Sequence, residues 1–126
     1  MNGRILITGA TGALGRSVVA RFHDAGARVL AVDRDEHGLA ELTALAPSDR
    51  LAVRRTDLSS SEDVGRLFTE TAPSAVVHLV GGFRWSRLAD MSDGDWSFLL
   101  SINLDTTFRV FREAARRFEA ARAGSV

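Results

Sequence analysis

The sequence has no lysine, no tyrosine and no cysteine among its 126 residues, and it has only two prolines. All 16 residues counted as lysine or arginine are arginines. Without cysteine, disulfides and thiolate chemistry are excluded. Without lysine or tyrosine, this chain alone runs no mechanism that needs a lysine ammonium or a tyrosine phenol.

Charge and hydropathy exclude further classes of function. The formal net charge is zero, so no basic excess points to nucleic acid or to an anionic membrane surface. His23, His37 and His78 are scattered without ligand spacing, so no metal site is expected. No apolar run approaches the roughly 20 residues of a membrane span, and no signal-peptide pattern is seen. We therefore expect a cytoplasmic protein with a single domain, 1–126, outside any membrane.

Apolar runs and helical patterns alternate along the chain. Strands are predicted at 4–8, 28–33, 51–55 and 75–80, and helices at 13–25 and 37–45, from Ser60 or Ser61 to Pro73, and at 93–122. Residues 124–126 resemble the start of a fifth strand. Strands alternating with helices at this spacing predict an α/β fold, a doubly wound parallel sheet with strand order 3-2-1-4.

Three glycines follow the first apolar run at every third position, in ILITGATGALG. Gly9 tolerates the dihedrals of a sharp strand–helix turn. A side chain at Gly12 would keep a ligand from the main chain, and Gly15 lets the helix pack closely. The unpaired first-turn amides at the positive end of the helix dipole suit a pyrophosphate. The residues predicted to contact it are Gly9, Thr11, Gly12, Ala13, Leu14 and Gly15.

An acidic residue lies 18 positions beyond Gly15, at the end of the second strand. The carboxylate of this residue, Asp33, can accept hydrogen bonds from both ribose hydroxyls of an adenosine, and it would repel a 2′-phosphate. NAD is therefore favoured over NADP. Arg34 beside it keeps NADP open, since a guanidinium could accept that phosphate. The alternative is a tight turn with a solvated aspartate and no ligand.

With these residues, the chain resembles the short-chain dehydrogenase/reductase family, which has a Rossmann-like fold. The likeness covers the whole chain but only the N-terminal half of a usual member, so a truncated domain is expected. The Thr8-Gly9…Gly12…Gly15 spacing is closest to the extended subclass. The resemblance implies an NAD(P)-dependent oxidoreductase that moves hydride between a nicotinamide and an alcohol or carbonyl, this chain supplying the cofactor-binding half.

The resemblance also assigns residues after the third and fourth strands. Asp57-Leu58 is similar to the acidic position that holds the adenine amino group, the alternative being a helix-capping aspartate. Val80, Gly81 and Gly82 occupy the place of a segment that lines the cofactor through its backbone. His78 is interpreted as a strand histidine packed against a helix.

Asn103 matches an asparagine that in relatives helps to hold a water of the proton relay. Its alternative is to satisfy backbone groups where the helix bends, and the two roles can coexist. Relatives also carry a Ser and a Tyr-x-x-x-Lys pair after a fifth strand, and this chain has neither Tyr nor Lys. The alternative functions are thus a non-catalytic dinucleotide-binding module and an inactive relative.

Partners are inferred from the resemblance as well. A small-molecule substrate is expected only if the missing half is supplied, and residues 83–88 could edge its pocket. The long helix, 93–122, is predicted to offer a surface for a homo-oligomer. Its apolar residues could instead face the sheet; they are Trp96, Leu99, Leu100, Phe108, Phe111, Ala115 and Phe118.

Overall fold

Four parallel strands form one sheet in the predicted order, β3-β2-β1-β4. A computed structural model describes residues 3–126. The elements are β1 (Arg4–Thr8), α1 (Ala13–Asp24), β2 (Arg28–Asp33), α2 (Glu36–Leu45), β3 (Leu51–Arg55), α3 (Ser61–Thr71), β4 (Ala75–His78), a 3-10 turn (Leu88–Asp90), α4 (Asp93–Leu100), a π turn (Ser101–Asp105) and α5 (Thr106–Ala121).

Helices cover both faces of the sheet, as a doubly wound fold requires. Successive strand side chains point to opposite faces, so Ile5 and Ile7 of β1 join one buried cluster and Leu6 joins the other. The first cluster includes residues of α1 and α2, and the second includes residues of α3 and α5. The Rossmann-like architecture is confirmed.

The helix starts follow local capping chemistry. Asp35 caps α2 by accepting a hydrogen bond from the Gly38 amide at 3.2 Å. Ser60 caps α3 by accepting one from the Asp63 amide at 3.1 Å. Side-chain oxygens at this position satisfy amides that have no partner within the helix. Of the two serines expected at the start of α3, Ser60 is therefore the cap.

The strand predicted at 75–80 is two residues too long, because β4 ends at His78. The last ladder contact is the Leu79 amide, which donates to the Thr8 carbonyl at 3.2 Å. The fifth-strand stub is confirmed, since Ser125 forms a parallel bridge with Ala75. Its carbonyl accepts from the Val76 amide at 2.8 Å, on the edge of β4 away from β1.

The long helix predicted at 93–122 is present as one continuous helical run, 93–121, but a π-helical segment lies within it. A π turn separates α4 from α5, and α5 ends at Ala121 with Arg122 in the left-handed region at φ 52°. The Asn103 side chain donates to the Leu99 carbonyl at 2.9 Å. A side chain that bonds a helix carbonyl competes with the regular ladder, and π turns commonly mark functional sites.

The residues of α5 that are buried against the sheet are not those of the predicted apolar stripe. Thr106, Val110 and Ala114 are buried there. Of the predicted apolar stripe, Trp96 and Phe108 are more than half exposed, and Phe118 alone packs against the buried cluster. Small side chains let α5 approach the sheet, while the large side chains of Trp96 and Phe108 stay exposed to solvent. Within residues 3–126, no helix is both long and apolar enough to cross a membrane.

Candidate functional site

The glycine turn joins β1 to α1 at the carboxyl end of the sheet. Gly9 has a positive φ of 66°, which confirms the predicted dihedral demand. A Cβ on Gly9 would also lie 2.8 Å from the Leu79 carbonyl carbon and 2.9 Å from the Val80 nitrogen. Both backbone conformation and the close approach of the chain after β4 therefore require glycine here.

The other two glycines differ in what surrounds them. A Cβ on Gly15 would come within 2.0 Å of the Gly9 carbonyl oxygen, so α1 packs directly on the turn. A Cβ on Gly12 would meet nothing closer than that same oxygen, at 3.5 Å, and Gly12 has an ordinary φ of −67°. The fold therefore requires glycine at position 15 but not at position 12.

The N-terminus of α1 lacks the usual neutralising groups. Its cap residue, Gly12, makes no side-chain hydrogen bond, and no acidic residue lies in the first turn. Among residues 3–126, the Ala13 and Leu14 amides have no hydrogen-bond acceptor. Unpaired amides at the positive end of a helix dipole attract anions.

Asp33 ends β2 beside this turn. Its Oδ2 accepts from the Thr11 amide at 3.1 Å, and its Oδ1 accepts from the amides of Arg34 at 2.7 Å and Asp35 at 3.2 Å. Burial alone raises the pKa of the Asp33 carboxyl, but the hydrogen bonds from Thr11, Asp35 and Arg34 together hold that pKa below its usual range. Asp33 is thus an ionised, half-buried acceptor with a fixed orientation.

An elongated cleft of about 450 Å³ runs across the carboxyl ends of the strands. Most of the site residues predicted from the sequence line it, and five do not. The predicted residues in the lining are Gly9, Thr11, Gly12, Asp33, Arg34, Asp57, Leu58, Val80 and Gly81. Those outside the lining are Ala13, Leu14, Gly15, Gly82 and Asn103.

The lining also contains residues that the sequence analysis missed. Thr56 follows β3, so the rule that strand ends meet at one edge would have found it. The lining residues of α4 and the π turn were not predicted, because only the path of the folded chain brings them to the cleft. The residues missed are Thr56, Ser59, Leu79, Phe98, Ser101, Ile102 and Thr106.

Asp57 organises the loop after β3. Its Oδ1 accepts from the Ser59 amide at 2.9 Å and from the Ser59 hydroxyl at 2.7 Å. The two Ser59 hydrogen bonds hold the pKa of the Asp57 carboxyl below its usual range, against the small opposing effect of burial. Since Ser60 caps α3, the alternative that Asp57 is the capping residue is wrong.

Asn103 binds the backbone that follows β4. Its Oδ1 accepts from the Gly82 amide at 3.1 Å, and its Nδ2 donates to the Gly82 carbonyl at 2.9 Å. The third contact, to Leu99, is the one that accompanies the π turn. A Cβ on Gly81 would lie 2.9 Å from Asn103 Oδ1, which explains the small residue there. Asn103 thus satisfies backbone groups where the helix bends, and its part in a relay stays a prediction.

His78 lies beneath the cleft and packs against a helix, as interpreted. Its Nδ1 is 2.7 Å from the Thr8 hydroxyl, which also accepts from the Leu79 amide at 3.3 Å. Its ring meets Phe111 edge-on, with centroids 5.7 Å apart. The Nε2 atom is buried and has no partner among the described residues. Burial lowers the pKa of His78 below its usual range.

A glycine turn, an acidic residue after β2 and a cleft at the strand ends together match one known family. The profile of the family described as short chain dehydrogenase covers residues 4–126. The chain belongs to this family. Residues 3–126 hold no cluster of three or more side chains suited to a metal. The finer likeness to the extended subclass stays a prediction.

Similar proteins match along nearly the whole chain. A 3beta-hydroxysteroid dehydrogenase 2 from Eggerthella lenta is 33% identical over 96% of this chain and 50% of its own length. A (3R)-3-hydroxyacyl-CoA dehydrogenase from Mus musculus is 32% identical over 88% of this chain and 49% of its own. An oxidoreductase of this family from Burkholderia thailandensis superposes with a TM-score of 0.90 at 28% identity. The match covers 98% of this chain and 49% of that protein's chain. The chain spans about half the length of these relatives.

The half-buried His78 makes folding stability depend on pH. Protonation is harder in the folded chain than in the unfolded chain, where the pKa is near its ordinary 6.5. The folded state thus binds fewer protons, and its stability is expected to fall as pH drops through 6.5 towards the lower folded value. Urea unfolding of the chain between about pH 7.5 and 5.5 measures this slope.

The His78→Asn variant is the matched control, because it keeps a hydrogen-bonding partner for Thr8 and does not titrate. His23 and His37 are present in both proteins, so their contributions cancel in the difference. We expect a shallower loss of stability towards acid in the variant. Parallel pH profiles for the two proteins would contradict the assignment.

Proposed function

We propose that this chain is the dinucleotide-binding half of an NAD(P)-dependent oxidoreductase acting on an alcohol or carbonyl. The observation that carries the proposal is the open space at Gly12, next to unpaired helix amides and within one cleft with Asp33. A glycine that the fold does not need, placed where an anion would lie, fits close approach by a diphosphate.

Each part of the cleft suits one part of the cofactor. The amides of the glycine turn and of the first turn of α1 would hold the diphosphate. Asp33 and Arg34 would bind the adenosine ribose, and the loop after β3 would bind the adenine. The backbone after β4 would line the cofactor on the far side. Bound there, the nicotinamide supplies the hydride chemistry. The residues proposed are Gly9, Thr11, Gly12, Ala13, Leu14, Gly15, Asp33, Arg34, Asp57, Leu58, Val80, Gly81 and Gly82.

We propose NAD rather than NADP as the cofactor. The Asp33 carboxylate is ionised and held by three amides, so it cannot easily turn away from a 2′-phosphate. Arg34 is exposed and lines the same cleft, and it is the residue that would favour NADP. We expect the fixed carboxylate of Asp33, rather than the exposed guanidinium of Arg34, to decide the cofactor, because reorienting Asp33 would break its hydrogen bonds.

The absence of tyrosine and lysine supports a second function for the chain taken alone. The Tyr-x-x-x-Lys pair that the resemblance implies is absent from these 126 residues. A non-catalytic dinucleotide-binding module would need only the cleft. A longer coding sequence with a Tyr-x-x-x-Lys pattern after residue 126 would favour the oxidoreductase. The two relatives are named for a steroid and an acyl-CoA, so the substrate is proposed only as an alcohol or carbonyl.

Replacing Gly12 by Ser tests the diphosphate site. A serine at this cap position would accept from the first-turn amides and fill the space of the ligand, while the helix would be as stable or more so. We expect NAD binding to weaken at least about tenfold, the equivalent of one charge-assisted hydrogen bond. Calorimetric titration measures the affinity, and a melting curve checks the fold.

Gly65→Ala is the matched control, since a Cβ on Gly65, within α3, meets nothing within 4 Å. Its NAD affinity is expected to equal that of the unsubstituted chain. An unchanged affinity in Gly12→Ser would remove the proposed diphosphate site. Absence of NAD binding to the well-folded, unsubstituted chain would overturn the proposed function itself.

Replacing Asp33 by Asn tests the ribose site and the choice of cofactor. The variant lacks the charge that binds the ribose hydroxyls and repels a 2′-phosphate. We expect the ratio of NAD affinity to NADP affinity to fall about tenfold. Asp24→Asn, at an exposed position, removes the same charge and should leave the ratio unchanged. Tighter binding of NADP than NAD by the unsubstituted chain would contradict the assignment.

We also propose that the outer face of α5 joins two copies of the chain. Leu104, at the end of the π segment, and Phe108, in α5, are exposed by 60% and 59%, lie four residues apart and are separate from Thr106, Val110 and Ala114, which face the sheet. Exposed apolar stripes of this kind mark interaction sites. We expect Phe108→Asp to lower the mass of the particle in solution from dimer to monomer.

Sedimentation analysis measures that mass. Leu45→Asp is the control, because Leu45 is 78% exposed at the end of α2, away from α5. A monomeric unsubstituted chain, or a dimer that survives Phe108→Asp, would rule out this interface.

A further inference from the structure

Thr11, in the middle of the glycine turn, is held on three sides by the protein. Its amide donates to Asp33 Oδ2 at 3.1 Å, and its carbonyl accepts from Arg16 Nε at 2.8 Å. Its side chain lies against α2, because a Cβ on Gly38 would come within 2.7 Å of Thr11 Cβ. The orientation of this one residue therefore depends on groups from β2, α1 and α2.

Arg16 bonds Thr11 through Nε of its guanidinium and bonds a residue of α2 through a terminal nitrogen. Its terminal nitrogen donates to Glu41 Oε2 at 2.7 Å, which links α1 to α2. Glu41 Oε1 is also 3.2 Å from His37 Nε2. A planar guanidinium presents donors in a rigid fork, so two acceptors at fixed places define its position. Arg16 is itself only about one-third exposed and does not line the cleft.

The Thr11 carbonyl and the Gly12 amide belong to one planar peptide and point in opposite directions. Arg16 holds the carbonyl on the side away from the cleft. If this peptide turned over, the Gly12 amide would leave the Gly9 carbonyl and the Thr11 carbonyl would take its place, which would put a second carbonyl oxygen at the turn, where it would repel the anion. The Gly12 amide donates to the Gly9 carbonyl at 3.3 Å, which is long for a hydrogen bond, so this bond alone holds the peptide weakly.

We propose that Arg16 is a positioning residue for dinucleotide binding: braced by Glu41, it fixes the Thr11–Gly12 peptide so that the Thr11 carbonyl points away from the diphosphate, which the Ala13 and Leu14 amides would hold. The inference rests on the proposed function, since it concerns the same cleft. It gives Arg16 a role without contact to the ligand.

The test compares NAD with adenosine, which shares the nucleoside but has no diphosphate. In the 126-residue chain, Arg16→Ala should weaken NAD binding about tenfold, the equivalent of one lost charge-assisted hydrogen bond. Adenosine binding should not change, because the nucleoside does not contact the peptide that Arg16 holds. A purely structural effect would instead reduce both affinities together. Calorimetry and ligand-detected NMR measure the two affinities.

Three further variants separate geometry from charge and folding. Arg21→Ala removes the same charge from the exposed face of α1 and should leave NAD binding unchanged. Arg16→Lys keeps the charge but not the fork, so it should bind NAD more weakly than the unsubstituted chain. Glu41→Ala removes only the brace, and it provides the test if Arg16→Ala does not fold. It should weaken NAD binding in the same direction.

Each outcome decides the proposal. Selective loss of NAD affinity in Arg16→Ala or Glu41→Ala, with Arg21→Ala unchanged, supports it. Equal affinity in the variants, parallel loss of NAD and adenosine, or full rescue by Arg16→Lys would overturn it while the proposed function stands. Failure of the unsubstituted chain to bind NAD would overturn both.

Discussion

The backbone contact inside the glycine turn determines where the site lies. The Gly9 carbonyl and the Gly15 α-carbon come so close that a single methyl group between them would lie 2.0 Å from the oxygen. This contact places the start of α1 directly above the end of β1. Because β1 pairs with both β2 and β4, the same point receives Asp33 from one side and Leu79 from the other. The cleft forms where these three chain segments meet.

The electrostatics of the cleft follow from this packing. Gly12 in the lining lies next to the Ala13 and Leu14 amides, which have no acceptor among residues 3–126, and a neighbouring wall presents the carboxylate of Asp33, already fixed by amides. An anionic group is favoured beside the helix amides, and hydroxyl donors are favoured at the carboxylate. The Thr11 amide bonds to Asp33, so the Ala10–Thr11 peptide links the turn to this carboxylate. The next peptide, Thr11–Gly12, bonds instead to Arg16 and to Gly9.

Much of the fold could be predicted because it depends on local chemistry. Strand alternation, the order of elements and the cap at Ser60 follow from residues that are near one another in the chain. The long helix was predicted, but the π segment within it was not, because the Asn103 side chain that bonds the Leu99 carbonyl also bonds Gly82, which lies 21 positions away in the chain. The lining of the cleft was predicted where a sequence motif identifies the residue, as at Gly9 and Asp33. It was missed where ordinary residues such as Phe98 and Ser101 enter the cleft only through the path of α4 and the π turn.

The sequence by itself determined the fold class, the position of the turn and the acid after β2, since glycine dihedrals and strand spacing are properties of short segments. Only the tertiary structure decided which glycine the fold needs and which it leaves open. The motif predicted different roles for Gly12 and Gly15, but only their distances to Gly9 in the folded chain show that a side chain fits at position 12 and not at position 15. Only the tertiary structure, likewise, brought Arg16 to Thr11 and Glu41. Such distances arise when separate elements pack, and no local pattern contains them.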